Sequence, residues 1–172
     1  MISEPVAAPS DATYIAGFQP GFLGRIAQMH GEYYSRVWGS GVAFEEQMAR
    51  ELCDFYDTYD PNRDLLLTAH VDGELIGSIA VNGAQTERPG AQLRWYLMAE
   101  ECQGRGIGRV LLERALAFCR EKGFDSVFLW TVAGLPQSLH LYEKAGFRIA
   151  ESFPSHRYTV QHTLLRLEMA LL

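Results

Sequence analysis

Apolar side chains at Phe22, Leu23, Ile26, Met29, Tyr33 and Val37 recur at the spacing of one helical face, which predicts a helix over residues 22–37. Gly39-Ser40-Gly41 stops it, and a second helix follows with Phe44, Met48, Leu52, Phe55 and Tyr59 along one side. Before them, "ATYIAGFQP" alternates enough for a short strand ended by Pro20-Gly21. After them, the turn cluster "YDPNRD" leads into "LLLTAHVDGELIGSIAVNG", where two β-rich runs flank Asp72-Gly73 as in a hairpin. "AQLRWYLM" is a further strand. The period then returns to helical over Arg109 to Lys122, with Val110, Leu111, Ala115 and Phe118 inward and Gly123 as the stop. "SVFLWTV" is a buried strand, "LPQSLHLYEKAG" a short helix, and "FRIAES" and "TLLRLEMAL" closing strands. A hairpin region followed by two βαβ-like crossovers predicts a mixed sheet, of class α/β or α+β.

Length changes this picture little: 172 residues suit one domain with a substantial core, placed at residues 12–172. Residues 1–11 carry Pro5, Pro9 and small side chains without a basic stretch, and read as a flexible tail and not a signal peptide. A net charge of −6 argues against nucleic acid as the main partner. No apolar run approaches the ~18 residues of a membrane span. Cys53, Cys102 and Cys119 lie far apart, as free thiols in a reducing, cytoplasmic compartment would. The histidines show no metal-ligand spacing, so no metal is expected.

The candidate chemistry sits at Gln103-Gly104-Arg105-Gly106-Ile107-Gly108-Arg109, where glycines crowd a helix start although glycine is a poor helix former. A helix N-terminus offers unpaired amides and partial positive charge. Glycines let an anion approach the backbone, so a cradle for a diphosphate is one reading. A tight turn with solvated arginines is the other. A P-loop is excluded because Arg109-Val110 follow the last glycine in place of Lys-Ser/Thr. A G-x-G-x-x-G fingerprint is excluded because position 109 is Arg.

The segment resembles motif A of the GNAT superfamily of N-acetyltransferases, Q/R-x-x-G-x-G/A, matched by Gln103, Gly106 and Gly108. "LYEKAGF", Leu141 to Phe147, resembles that family's motif B at the usual distance, and the order of elements is also similar. "HGEYYSRVWG" and "DFYDTYDP" look most like the acetyltransferase half of bacterial MarR–GNAT fusion proteins. The resemblance implies a mostly antiparallel sheet of about seven strands with a central splay, flanked by about four helices. It implies acetyl-CoA as donor, with the backbone of Leu97, Met98 and Ala99 on the pantetheine arm and the amides of Gln103 through Arg109, Ile107 included, on the pyrophosphate. It places the Tyr142 hydroxyl at the CoA sulfur as donor to the leaving thiolate, with Ser138 one turn earlier on the same face.

Direct attack by an amine on a thioester needs no enzyme nucleophile, so Cys102 need not act. Histone-type members carry a glutamate where this chain has Gln92, and many have an asparagine where it has Leu135. Glu100 and Glu101 read as solvated loop charges, and the general base is left open. His30, Tyr33 and Arg36 cluster within two helical turns as candidate acceptor ligands. Arg94, in mid-strand, either faces solvent or binds a substrate carboxylate. His156 and His162 read as surface or sheet-face residues. The expected partner is a small-molecule amine, amino-acid-like, with a homodimer possible. A protein or peptide acceptor, or a non-catalytic acyl-CoA sensor, are the alternatives.

Overall fold

A computed structural model describes residues 11–84, 90–156 and 161–171. Most of the expected N-terminal tail, residues 1–10, lies outside the described residues. The chain runs β1 (Ala12–Ala16), α1 (Phe22–Trp38), α2 (Gly41–Asp57), β2 (Leu65–Val71), β3 (Glu74–Asn82) and β4 (Ala91–Met98). A 3-10 turn, Glu100–Cys102, leads to α3 (Ile107–Glu121), β5 (Ser126–Val132), α4 (Pro136–Ala145), β6 (Arg148–Ser155) and β7 (His162–Ala170).

The strands form one sheet in the order β1-β2-β3-β4-β5-β7-β6. Every pairing is antiparallel except β4 with β5. Asp72 and Gly73 both adopt positive φ, 52° and 82°, the geometry a two-residue hairpin between β2 and β3 requires. The first crossover, β4-α3-β5, joins neighbouring parallel strands. The second, β5-α4-β6, overshoots by one place because β7 inserts between β5 and β6.

Helices cover both faces, which is why β2 reads as a continuous apolar run and is buried from Leu65 to His70. Leu66 and Ala80 point to α1 and α2, against Ile26, Leu52 and Phe55. Leu65, Leu67 and Val81 point the other way, to Ile107, Leu111 and Ala115 of α3.

The sheet opens at its centre. β4 and β5 pair only over Ala91–Leu93 and Val127–Leu129. β4 then bulges against β3, where the register shifts between Ser78 and Ala80. Trp95 takes φ 47°, a left-handed conformation that costs a non-glycine residue about 1–2 kcal/mol. The Ser78 hydroxyl donates to the Trp95 carbonyl at 2.7 Å, and the buried indole packs on Phe55 at 5.3 Å, which holds the bulge in place. A bulge bends its strand. Here the bend carries Tyr96, Leu97 and Met98 away from β5 and leaves their β5-facing backbone groups without a strand partner.

Candidate active site

The splay is the mouth of two adjoining cavities. One, of about 550 Å³, runs between the end of β4, the start of α3 and α4. The other, of about 670 Å³, lies between α1, α2 and strands β4, β5, β6 and β7. Tyr33, Tyr96, Leu97, Leu135, Ser138 and Tyr142 line both, so the cavities meet beside Tyr142.

The first cavity takes in the glycine-rich turn and the start of α3. Gly106 caps α3 with φ 79°, which moves the helix start to Ile107, two residues earlier than the apolar period indicated. Val110 is the first α3 residue whose amide bonds back, to the Gly106 carbonyl at 3.2 Å. The amides of Ile107, Gly108 and Arg109 have no helical carbonyl one turn earlier and point ahead of the helix. A Cβ on Gly104 or Gly106 would meet no atom within 4 Å, so open space lies before these amides. Gly108 serves a different need. A Cβ there would stand 3.1 Å from the Tyr96 hydroxyl, which donates to the Gly108 carbonyl at 2.6 Å and ties α3 to β4.

Leu97, Met98, Gln103, Gly104, Gly106, Ile107, Gly108, Arg109 and Ser138, all expected at the donor site, line this cavity. Ala99 and Arg105 do not. The Ala99 amide is spent on the Ile76 carbonyl at 2.7 Å. Arg105 turns its guanidinium to the Asp11 carboxylate and the Cys102 sulfur. Arg109 is held by Glu113 at 2.8 Å, one turn along α3. Positive charge at the cradle therefore comes chiefly from the helix end. That chemistry fits a diphosphate.

Tyr142 lies on the inner face of α4, in edge contact with Phe147 at 5.8 Å and tilted towards Tyr96 at 6.0 Å. Burial pushes its phenol well above its ordinary pKa, and the neighbouring Tyr96 and Tyr34 hydroxyls add to the effect. It therefore stays protonated at any working pH and is a hydrogen-bond donor at the joint of the cavities.

The second cavity is walled by side chains. His30 is 2% exposed, and its Nδ1–H donates to the Ile26 carbonyl at 2.8 Å. That bond fixes the neutral tautomer and leaves the lone pair on Nε2. Burial lowers the pKa to about 4, so the ring stays uncharged at neutral pH. Tyr33 lies at the joint, where burial, then the nearby Glu100 carboxylate, raise its phenol pKa. Arg94 faces the cavity, paired with Glu51 of α2 and 4.2 Å from the centre of the Trp95 ring. Gln92 lines the same cavity.

Arg36 lines neither cavity; it bridges α1 to the 3-10 turn through Glu100 at 2.6 Å. Glu100 is therefore an ion-pair partner as well as a loop charge. His162 is not a plain sheet-face residue: it stacks on Trp38 at 5.6 Å and lines the second cavity. Trp38, Phe44, Trp130 and Phe153 complete walls that no local motif announced. Among the described residues no group of His, Cys, Asp or Glu side chains converges as a metal site. No helix among them is long and apolar enough to cross a membrane.

A seven-stranded, centrally splayed sheet with four helices and glycines at the splay is the architecture of the N-acetyltransferase fold. The chain belongs to the Acetyltransferase (GNAT) family, whose profile matches residues 25–147. It is 35% identical over 98 residues to a mycothiol acetyltransferase of Cellulomonas flavigena, covering 52% of this chain and 27% of that protein. The chain thus spans less than a third of that relative's length. An N-acetyltransferase from Staphylococcus aureus shares the fold with TM-score 0.75 at 18% identity, over 95% of this chain and all of that one. So does a Vibrio cholerae spermidine N-acetyltransferase in complex with CoA and spermine, with TM-score 0.68 at 21% identity, over 95% and 97% of the two chains.

Proposed function

We propose that this protein transfers an acetyl group from acetyl-CoA directly to the primary amine of a small, amino-acid-like molecule. The observation that carries the reading is the meeting of a cavity at an open helix start and an aromatic-lined cavity at one buried, protonated tyrosine. Bound acetyl-CoA supplies the activated acetyl group as a thioester. The amides of Ile107, Gly108 and Arg109 take the pyrophosphate, and the freed edge of β4 takes the pantetheine arm. Tyr142 holds a proton on its hydroxyl at the joint and gives it, or a hydrogen bond, to the departing thiolate.

His30 has a lone pair at Nε2 that can accept a hydrogen bond, but it is too weak a base to deprotonate an ammonium. Moving a proton from an amine of pKa about 10 to an imidazole of pKa about 4 costs about 8 kcal/mol. The amine therefore reacts from its neutral form, which the aromatic walls favour by excluding water from the charged one. Arg94, moving off Glu51, would hold an acceptor carboxylate.

The test is thiol release from acetyl-CoA with a panel of amines, amino acids and peptides. Turnover with small amines is expected. Binding of acetyl-CoA without turnover on any member would make the protein an acyl-CoA sensor, and turnover on peptides alone would move the acceptor to that class.

A further inference from the structure

The second cavity has two aromatic walls. On the helical side Tyr34 stacks on Trp38 at 4.4 Å and tilts against Phe44 at 4.8 Å, and His162 stacks on Trp38 at 5.6 Å. On the sheet side Trp130 meets Phe153 edge-on at 5.6 Å. The rings of each wall pack on one another, so their positions are set before any acceptor arrives. The cavity between them, about 670 Å³, is large enough for a bicyclic ring and its side chain.

Charge separates the possible occupants. Among the described residues of this lining, Glu51 is the carboxylate and Arg94 the guanidinium, and they are paired with each other. A polyamine with several ammonium groups would need carboxylates not already neutralised. Rings favour another ring, which can stack or meet them edge to face.

We infer that the acceptor carries its primary amine on a flat aromatic body, held between the Trp38–Tyr34 wall and the Trp130–Phe153 wall with the amine directed to Tyr142. The inference rests on the second cavity being the acceptor site. An arylalkylamine or an aromatic amino acid has this chemistry.

The experiment compares tryptamine and phenethylamine with n-hexylamine, of similar apolar size, and with spermidine. Both kcat/KM and equilibrium binding to the CoA-loaded protein are measured. The aryl amines should lead n-hexylamine by about five- to tenfold and spermidine by more. Phe153→Ala, at a 40% exposed position where truncation spares the fold, should cut the aryl lead to about twofold with CoA affinity unchanged. Trp38→Leu should do so more strongly. n-Hexylamine or spermidine matching the aryl amines, or an aryl lead untouched in Phe153→Ala, would overturn the inference. If no amine turns over yet tryptamine still binds in preference to n-hexylamine, and loses that preference in Phe153→Ala, then the acetyltransferase reading fails while the aromatic site stands.

Discussion

The two cavities are built on opposite principles. The proposed donor side draws most of its lining from one short stretch, a strand end, a turn and a helix start between Tyr96 and Arg109, closed by α4 and Tyr33. The proposed acceptor side draws on α1, α2 and strands more than a hundred residues apart, as Tyr33 and Leu164 are. Backbone amides at a helix end recognise a diphosphate whatever the neighbouring side chains are. Side-chain walls recognise whatever shape and polarity the particular residues make. The donor half can thus stay constant while the acceptor half changes specificity, and substitutions in one half should leave the other's affinity alone.

The joint is where that separation should break. Tyr142→Phe removes one hydroxyl from the shared wall and should lower kcat by roughly ten- to a thousandfold, the scale of one catalytic donor. Acetyl-CoA affinity and thermal stability should stay near wild type, because the ring contacts to Tyr96 and Phe147 remain. Full kcat in this variant, with chemistry rate-limiting, would return Tyr142 to a packing role.

Gly106→Val probes the same separation from the donor side. A Cβ there meets no neighbour, so the cost lies chiefly in forcing φ away from 79° and reorienting the amides that follow. Acetyl-CoA should bind at least tenfold more weakly, about 1.4 kcal/mol, while the acceptor's own affinity is unchanged. Calorimetric titration of each ligand reads this directly, and an unaltered CoA affinity in the folded variant would sink the cradle.

Arg94→Ala probes it from the acceptor side. The acceptor's KM should rise about fivefold, roughly 1 kcal/mol, with CoA affinity unchanged. A loss of CoA affinity would mean that the two cavities are not separable there.

The smallest effect on catalysis is expected at His30, whose signature is stability. Unfolded, its imidazole takes a proton at about 6.5, whereas the buried ring resists until about 4. Its contribution is therefore fully present above pH 6.5 and is lost as pH falls towards 4, by up to about 3 kcal/mol. His70, whose pKa is also lowered by burial, acts in the same direction. His30→Asn keeps a donor for the Ile26 carbonyl and cannot titrate, so denaturation across this range should show a flatter pH dependence. An unchanged slope would place the acid sensitivity elsewhere.

The same contrast governs what the amino-acid sequence reveals. The donor cradle is legible because its residues are contiguous and their spacing carries the chemistry. Gly106 and Gly108 stand out on inspection, although only the structure shows that one sets a left-handed cap and the other a close approach to Tyr96. The helices and most strands are legible from apolar period. The place of β7 between β5 and β6 is not, because strand order depends on contacts distant in sequence. The bulge at Trp95 is hidden too, since a tryptophan gives no local sign of positive φ. On the acceptor side His30, Tyr33 and Arg94 are detectable as unusual polar residues, while Arg36 is drawn off to Glu100. Trp38, Trp130 and Phe153 look like ordinary core aromatics until the fold brings them to one cavity.

Direct transfer requires both ligands to be held at once in the adjoining cavities. Initial rates measured while acetyl-CoA and an accepted amine are both varied test it most directly. Double-reciprocal lines that intersect are the expected result, because both cavities must be filled before the acetyl group moves. Parallel lines, the pattern of an acetylated enzyme formed before the amine arrives, would contradict it and turn attention to Cys102 beside the cradle.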